Sequence, residues 1–176
     1  MRTTAKFSAT TMIALSAMLA MPASAAADAT SLTVTITGGS LAISVPTNAG
    51  NLGTVEYTTE ATVISGLLGE VQVTDARGAV AGSDWVASAI STALTPPAGP
   101  TIPALDIGYA VGGIEKHGTA TYEPHNRVDL VGDLPVVTAT AITGNNAATW
   151  NPTINVSVPG GTAPGVYSGT ITHSVL

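Results

Sequence analysis

From Leu32 to Val175 the chain is written in short alternating runs of apolar and hydroxyl-bearing residues, with Gly, Pro or Asn breaking the pattern about every 8–12 residues. Leu32, Val34 and Ile36 alternate with Thr33, Thr35 and Thr37, and after Gly38-Gly39 the alternation resumes at Leu41, Ile43 and Val45. A period of two places successive side chains on opposite faces of a strand, and a glycine pair between two such runs predicts a hairpin. Thr54 to Ser65 reads as one or two further strands. Val71 and Val73 lead into an Asp75-Ala76-Arg77-Gly78 turn, and Trp85 to Ile90 form the next strand, with Trp85, Ala87 and Ala89 on one face. The prolines of Thr95 to Pro103 hold a connection extended. Leu105 to Val111, Gly118 to Tyr122, Val136 to Ile142, Thr153 to Val158 and Val166 to Val175 complete the set. No stretch downstream of Leu32 carries a helical stripe. The expected fold is all-β: a single immunoglobulin-like β-sandwich domain of roughly eight to ten strands, spanning residues 31–176.

The N-terminus is built differently. Arg2 and Lys6 precede the apolar stretch Met12 to Met21, and Ala23-Ser24-Ala25 supplies small residues for cleavage. Residues 1–25 therefore read as a secretory signal peptide and 26–30 as a flexible lead. The apolar stretch is about half of what a bilayer-crossing helix needs, and no later segment is longer, so no membrane span is expected. Export without a single cysteine excludes disulfides and thiolate metal sites, which suits a bacterial surface protein.

Cleavage after Ala25 leaves Arg77, Lys116 and Arg127 against eleven acidic residues, a formal charge of 3 − 11 = −8. Nucleic acid, whose binding depends on cationic neutralisation of phosphates, is an unsuitable partner. No nucleophile elbow, phosphate loop, zinc-protease helix or dinucleotide fingerprint occurs, and His117, His125 and His173 sit in no recognisable catalytic signature. The expectation is a non-enzyme that needs no cofactor.

Glu115, His117, Glu123 and His125, with Asp129 nearby, form the densest cluster of polar groups. Each Glu-x-His pair shares a strand face. Two such strands paired as a hairpin would present two imidazoles and two carboxylates, an acceptable zinc set; the competing reading is a solvated loop without metal. Trp85 and Trp150, the only tryptophans, are open to two readings as well: platforms for sugar rings, or large fillers of a core poor in aromatics. Tyr167 is expected to pack its ring at a strand start and turn its hydroxyl toward backbone. Asp75 is expected to cap the turn by bonding the backbone two residues on, with a local Asp75–Arg77 ion pair as a further tie, worth about 0–1 kcal/mol where exposed.

Two regions together resemble the WxL family of bacterial cell-surface domains. In that family a Trp-x-Leu motif follows a Val-Thr-Asp-x-Arg-Gly turn, and the chain closes on a Tyr-x-x-x-Leu-Thr-Trp-x-Leu strand. Here the first region is Val73-Thr74-Asp75-Ala76-Arg77-Gly78 followed by Trp85-Val86-Ala87. The second is Tyr167-Ser168-Gly169-Thr170-Ile171-Thr172-His173-Ser174-Val175. Ala87 and Val175 stand where the family has Leu, and His173 where it has Trp. The resemblance implies a secreted module held non-covalently on a Gram-positive cell wall by peptidoglycan or an associated polymer, with Trp85, Trp150, Tyr167 and His173 as candidate ligand-binding residues. No covalent sorting motif follows the closing strand, in keeping with non-covalent attachment. The alternative is a structural or adhesive role in which free strand edges pair with copies of the chain or with other surface proteins.

Overall fold

The computed structural model describes residues 33–176; the expected signal peptide, the flexible lead, Ser31 and Leu32 lie outside them. Alternation becomes strand almost throughout. Eight strands occur among the described residues: β1 (Leu41–Ser44), β2 (Thr62–Leu67), β3 (Val71–Ser91), β4 (Ile107–Ala110), β5 (Ile114–Pro124), β6 (Leu134–Trp150), β7 (Thr153–Val158) and β8 (Ile171–Val175). A single 3-10 turn, Ala104–Asp106, precedes β4. No helix among these residues is long and apolar enough to cross a membrane.

The strands form two antiparallel sheets arranged as a sandwich. One has the order β1-β3-β6-β5, with β8 also paired to β3; the other has the order β2-β7-β4. β3 is long enough to serve two short neighbours on one flank, β1 along Gln72–Asp75 and β8 along Ala87–Ser91. The interior is filled from both sheets by Val71, Val73, Trp85, Ala87, Ala89, Val136, Val137, Ala139, Ile142 and Trp150 on one side and Ile107, Tyr109, Ile154 and Val156 on the other. Burying this apolar surface at roughly 25 cal/mol per Å² is the main force holding the sheets together. Residues Ile36–Leu176 make up this compact unit.

Three expectations about elements change. The hairpin across Gly38-Gly39 does not form: Thr33 to Ser40 contain no strand, Val34 and Ile36 are exposed, and β1 pairs with β3 instead. The two glycines serve a close approach. The Gly39 amide donates to the Ala76 carbonyl, and a side chain at Gly38 would strike the backbone of Arg77. Thr54 to Glu60 are not strand either, so only β2 represents that region. Finally, Asp75 to Gly78 does not end a strand. β3 runs through it for 21 residues, as a series of bulges matched by irregularities in β6.

Candidate functional site

The bulged part of β3 has a simple construction. Asp75 pairs with Asn146 and Trp85 with Ala139, so β3 spends ten steps where β6 spends seven, and three extra residues are looped out of the ladder. Such insertions bend a strand and re-aim its side chains. Gly78 and Gly82 take the positive φ that the detour requires, and Gly144 and Ala141 do so on β6. Ala141, at φ 53°, is the only non-glycine residue in this conformation among the described residues. Gly118 lies at the corresponding irregularity of β5, where a side chain would meet the backbone of Asn145 and Asn146.

Arg77 closes the detour. Its guanidinium makes two hydrogen bonds to Asp75, Nε to Oδ1 at 2.9 Å and Nη2 to Oδ2 at 2.9 Å, while Nη2 also reaches the Asp84 carbonyl at 3.1 Å. The two ends of the looped-out segment are thereby tied together. Val80, at its outer part, is 78% exposed. The Asp75 carboxylate is completely buried while Arg77 is 37% exposed, so the ion pair forms with one buried partner. Its remaining bonds come from the Arg77 backbone amide and from Asn146 Nδ2 at 3.1 Å. Hydrogen bonding from the Arg77 side chain, opposed by burial, is the leading cause that holds the Asp75 carboxyl below its ordinary pKa.

The same network reaches the first tryptophan. Asn146 turns its amide toward Asp75 and its carbonyl oxygen toward Trp85, whose Nε1–H donates to it at 3.0 Å. Tyr122 from β5 packs its ring against Trp85 with centroids 5.8 Å apart and brings its hydroxyl to within 3.3 Å of the same Asn146 oxygen. That hydroxyl lies closer to the Ala147 carbonyl, at 3.0 Å. Burial, followed by the Asp75 charge, raises the Tyr122 pKa. Every polar atom around Trp85 thus has a partner.

Trp150 sits in a second cluster. Its Nε1–H donates to the Tyr109 hydroxyl at 2.9 Å, and that hydroxyl meets His173 Nε2 at 3.1 Å. The hydroxyl accepts from the indole N–H on one lone pair and keeps its proton to donate to the imidazole. Three strands of two sheets, β6, β4 and β8, are joined by this chain. Burial pushes the Tyr109 pKa up and lowers that of His173 to about 4. The neutral ring leaves Nδ1 buried with no hydrogen-bond partner among the described residues.

These positions decide between the readings of the aromatic residues. Trp85 is 1% exposed and Trp150 2%, so neither indole offers a face to a sugar ring; both fill the core. Direct stacking on them requires an open face that the packing removes. His173 is half-buried and turned toward Tyr109 rather than outward. Tyr167 is also half-buried, precedes β8, and donates its hydroxyl to the Ala163 carbonyl at 3.0 Å, as expected of a corner tyrosine.

The proposed zinc set is not assembled. Glu115, His117 and Glu123 all lie on β5 and His125 follows it, so one strand replaces the hairpin that the set required. Eight residues of strand separate Glu115 from Glu123, on the order of 25 Å. His125 bonds Thr138 Oγ1 at 2.9 Å instead. No group of three or more metal-ligating side chains gathers anywhere among the described residues.

Sequence reasoning missed Asn146, the centre of the first network, because Gly144-Asn145-Asn146 resembles the end of a strand rather than its middle. A signal existed in the pairing of two glycine-marked interruptions, one after Asp75 and one before Asn146, whose irregularities match when the strands run side by side. Tyr109 carried no signal beyond being one of four tyrosines. The chain matches no family model, no curated protein and no solved structure.

Proposed function

We propose that this chain is an exported bacterial surface module, related to the WxL domains, that binds cell-wall peptidoglycan or an associated polymer without covalent attachment. The observation that carries this reading is the meeting of the two regions on which the resemblance rests. They are some eighty residues apart in sequence, yet β8 pairs directly with the end of β3 that follows the bulge, Ala87 opposite Val175 and Ala89 opposite His173. The motif residues belong to one structural unit. The polar groups around Trp85 are internally satisfied, and the exposed parts of the unit, such as Val80 and Thr172, are the ones open to a ligand. A surface nearly free of positive charge suits a neutral glycan or peptide better than a polyphosphate.

Because Trp85 is buried, its removal would test folding more than binding. Val80→Asp alters only the exposed tip of the bulge. Purified processed protein and this variant are incubated with washed Gram-positive walls and with purified peptidoglycan, then sedimented. Saturable co-sedimentation of the wild type is expected, with loss in Val80→Asp. A wild type that stays in the supernatant with both materials refutes wall binding.

A further inference from the structure

Five residues, Ile171–Val175, make β8, and among the described residues this strand has a ladder on one side only, against Ala87–Ser91 of β3. Its side chains alternate as in a half-buried strand. Ile171 and Val175 pack against the core, Thr172 is exposed, and Ser174 meets Asp133 on the outer face at 3.3 Å. The inward position between Ile171 and Val175 is therefore taken by a titratable side chain, His173. Its bond with the Tyr109 hydroxyl of β4, at 3.1 Å, is the one side-chain hydrogen bond from β8 to the opposite sheet among the described residues.

That bond exists only while the ring is neutral. A neutral imidazole accepts at Nε2, whereas both nitrogens of an imidazolium carry protons. The Tyr109 oxygen already accepts from Trp150 Nε1 at 2.9 Å, so an Nε2–H aimed at it would displace the phenolic proton, which has no other acceptor among the described residues. Nδ1, the second donor, is buried without a partner. No carboxylate stands ready to balance the charge. Tyr109 is the titratable group in contact with the ring; β3 presents Ala87, Ala89 and Ser91, β1 contains no charged residue, and β6 enters through Trp150. Asp133 is engaged by Ser174 on the opposite face of β8, Arg127 directs Nε to the Pro135 carbonyl at 2.6 Å, and Tyr167 gives its hydroxyl to Ala163. Burial, unopposed by any charge, is what lowers the His173 pKa from 6.5 to about 4.

We propose that β8 is an acid-released clasp: protonation of His173 breaks its bond with Tyr109, and the imidazolium regains water as the strand peels from β3. Only one short ladder has to open. Val86 and Leu176 exchange both of their backbone bonds, at 2.9 and 3.1 Å, so in this register Ser88 with Ser174 and Ile90 with Thr172 are the other bonded pairs. Release bares the backbone groups of Val86, Ser88 and Ile90, the part of β3 that follows the bulge, and uncovers the Tyr109 side of the core. A group whose pKa is lower in the closed strand than in the released one favours release as pH falls. The ratio of released to closed strand should rise about tenfold per pH unit from about 6.5 down to about 4, then level off. Above that window the clasp is closed at full strength. This device is independent of wall binding and is tested without wall material.

Amide hydrogen exchange of the processed protein, resolved by NMR between about pH 7 and about pH 4 and expressed as protection relative to the unstructured chain, reads the release directly. Protection at Thr172, Ser174 and Leu176 is expected to fall about tenfold per pH unit below about 6.5, while Ile154 and Val156 on β7 keep theirs. Imidazole resonances followed in the same samples report when His173 takes up its proton. His173→Gln can still accept from Tyr109 but does not titrate, and His173→Phe keeps an uncharged ring. Both should give β8 protection that no longer changes with pH, whatever its starting level. Equal loss of protection in β7 and β8, a His173 ring that becomes protonated while β8 stays protected, or an undiminished acid response in both variants overturns the proposal.

Discussion

The two tryptophans occupy the same core but are held by different chemistry. Around Trp85 the polar groups form a closed set: the indole N–H meets Asn146, Asn146 meets Asp75, and Asp75 meets Arg77, which reaches solvent. Around Trp150 the chain of bonds passes through Tyr109 to His173 and stops at a nitrogen with no partner among the described residues. The difference shows how a buried polar network draws its value from its last member. A network that ends on a partly exposed guanidinium leaves no buried group unpaired, whereas one that ends on a buried imidazole nitrogen without a partner carries a desolvation cost.

The largest expected effect follows from breaking the closed set. Arg77→Ala leaves the Asp75 carboxylate buried with only Asn146 and one backbone amide to stabilise it, and stranding a buried charge in this way costs about 3–5 kcal/mol. Because Arg77 is 37% exposed, water can partly replace it, and the expected loss in urea denaturation is about 3 kcal/mol. The double variant Asp75→Ala, Arg77→Ala should be less damaged than the sum of the singles. Additive losses would show that the two side chains stabilise β3 separately.

Acid should affect the two ends in different windows. The folded-state pKa of His173, about 4, lies below the ordinary 6.5, so the unfolded chain binds the extra proton first as pH falls. Stability from this residue is complete above the unfolded pKa and declines from about pH 6.5 to about pH 4, by up to about 3 kcal/mol. Asp75 behaves differently: its lowered pKa contributes stability above the ordinary carboxylate value of 3.8, lost as pH falls below it. Urea midpoints measured against pH should therefore fall in two stages. His173→Phe should flatten the upper stage and leave the lower one. If the upper stage persists in this variant, the imidazole is not its source.

The hydroxyl of Tyr109 permits a comparison at the level of one atom. Tyr109→Phe keeps the ring but leaves the Trp150 N–H without its acceptor, at an expected cost of about 1–3 kcal/mol in thermal or urea unfolding. A cost well below that range would mean that the Trp150 end draws its stability from packing alone.

What could be read in the sequence was the local period. Alternation at Val71-Val73, Trp85-Ala87-Ala89 and Thr153–Val158 correctly separated buried from outward positions, because a half-buried strand imposes that pattern on each residue independently. The all-β class follows from the same signal. Pairing was less legible. Leu32 to Thr37 alternates as well as any strand, but alternation does not specify a partner, and β1 found β3 without it. The Asp75-Gly78 segment has the residues of a turn, and it keeps the predicted bond from Asp75 to the Arg77 amide. It became a bulge because β6 carries a compensating irregularity some sixty-five residues later. The Glu115 to His125 cluster failed for the related reason that spacing on one strand cannot reveal what lies opposite. The buried Asp75–Asn146–Trp85 arrangement was half visible, in the Asp-x-Arg motif and the rare tryptophan, while Asn146 looked like an ordinary loop asparagine.

The smallest expected effect concerns Tyr167, which lies outside both networks but anchors the approach to β8. Its ring packs at the margin of the core, and its hydroxyl bonds the Ala163 carbonyl four residues upstream, holding together the bend that leads into the closing strand. Both partners are near solvent, so water can replace the bond when Tyr167→Phe removes it. The expected loss is about 0.5 kcal/mol, at the lower limit for a hydrogen bond. Tyr167→Ala also removes the ring and should cost more. The informative readout is hydrogen exchange at the Thr172 and Ser174 amides. Faster exchange in Tyr167→Phe with little change in global stability would show that β8 opens locally, independently of the sandwich. Unchanged exchange would mean that pairing with β3 and the His173 contact hold the strand without help from the corner. Destabilisation by Tyr167→Phe as large as that from Tyr109→Phe would remove the distinction between core hydroxyl and surface hydroxyl on which the ranking of these effects depends.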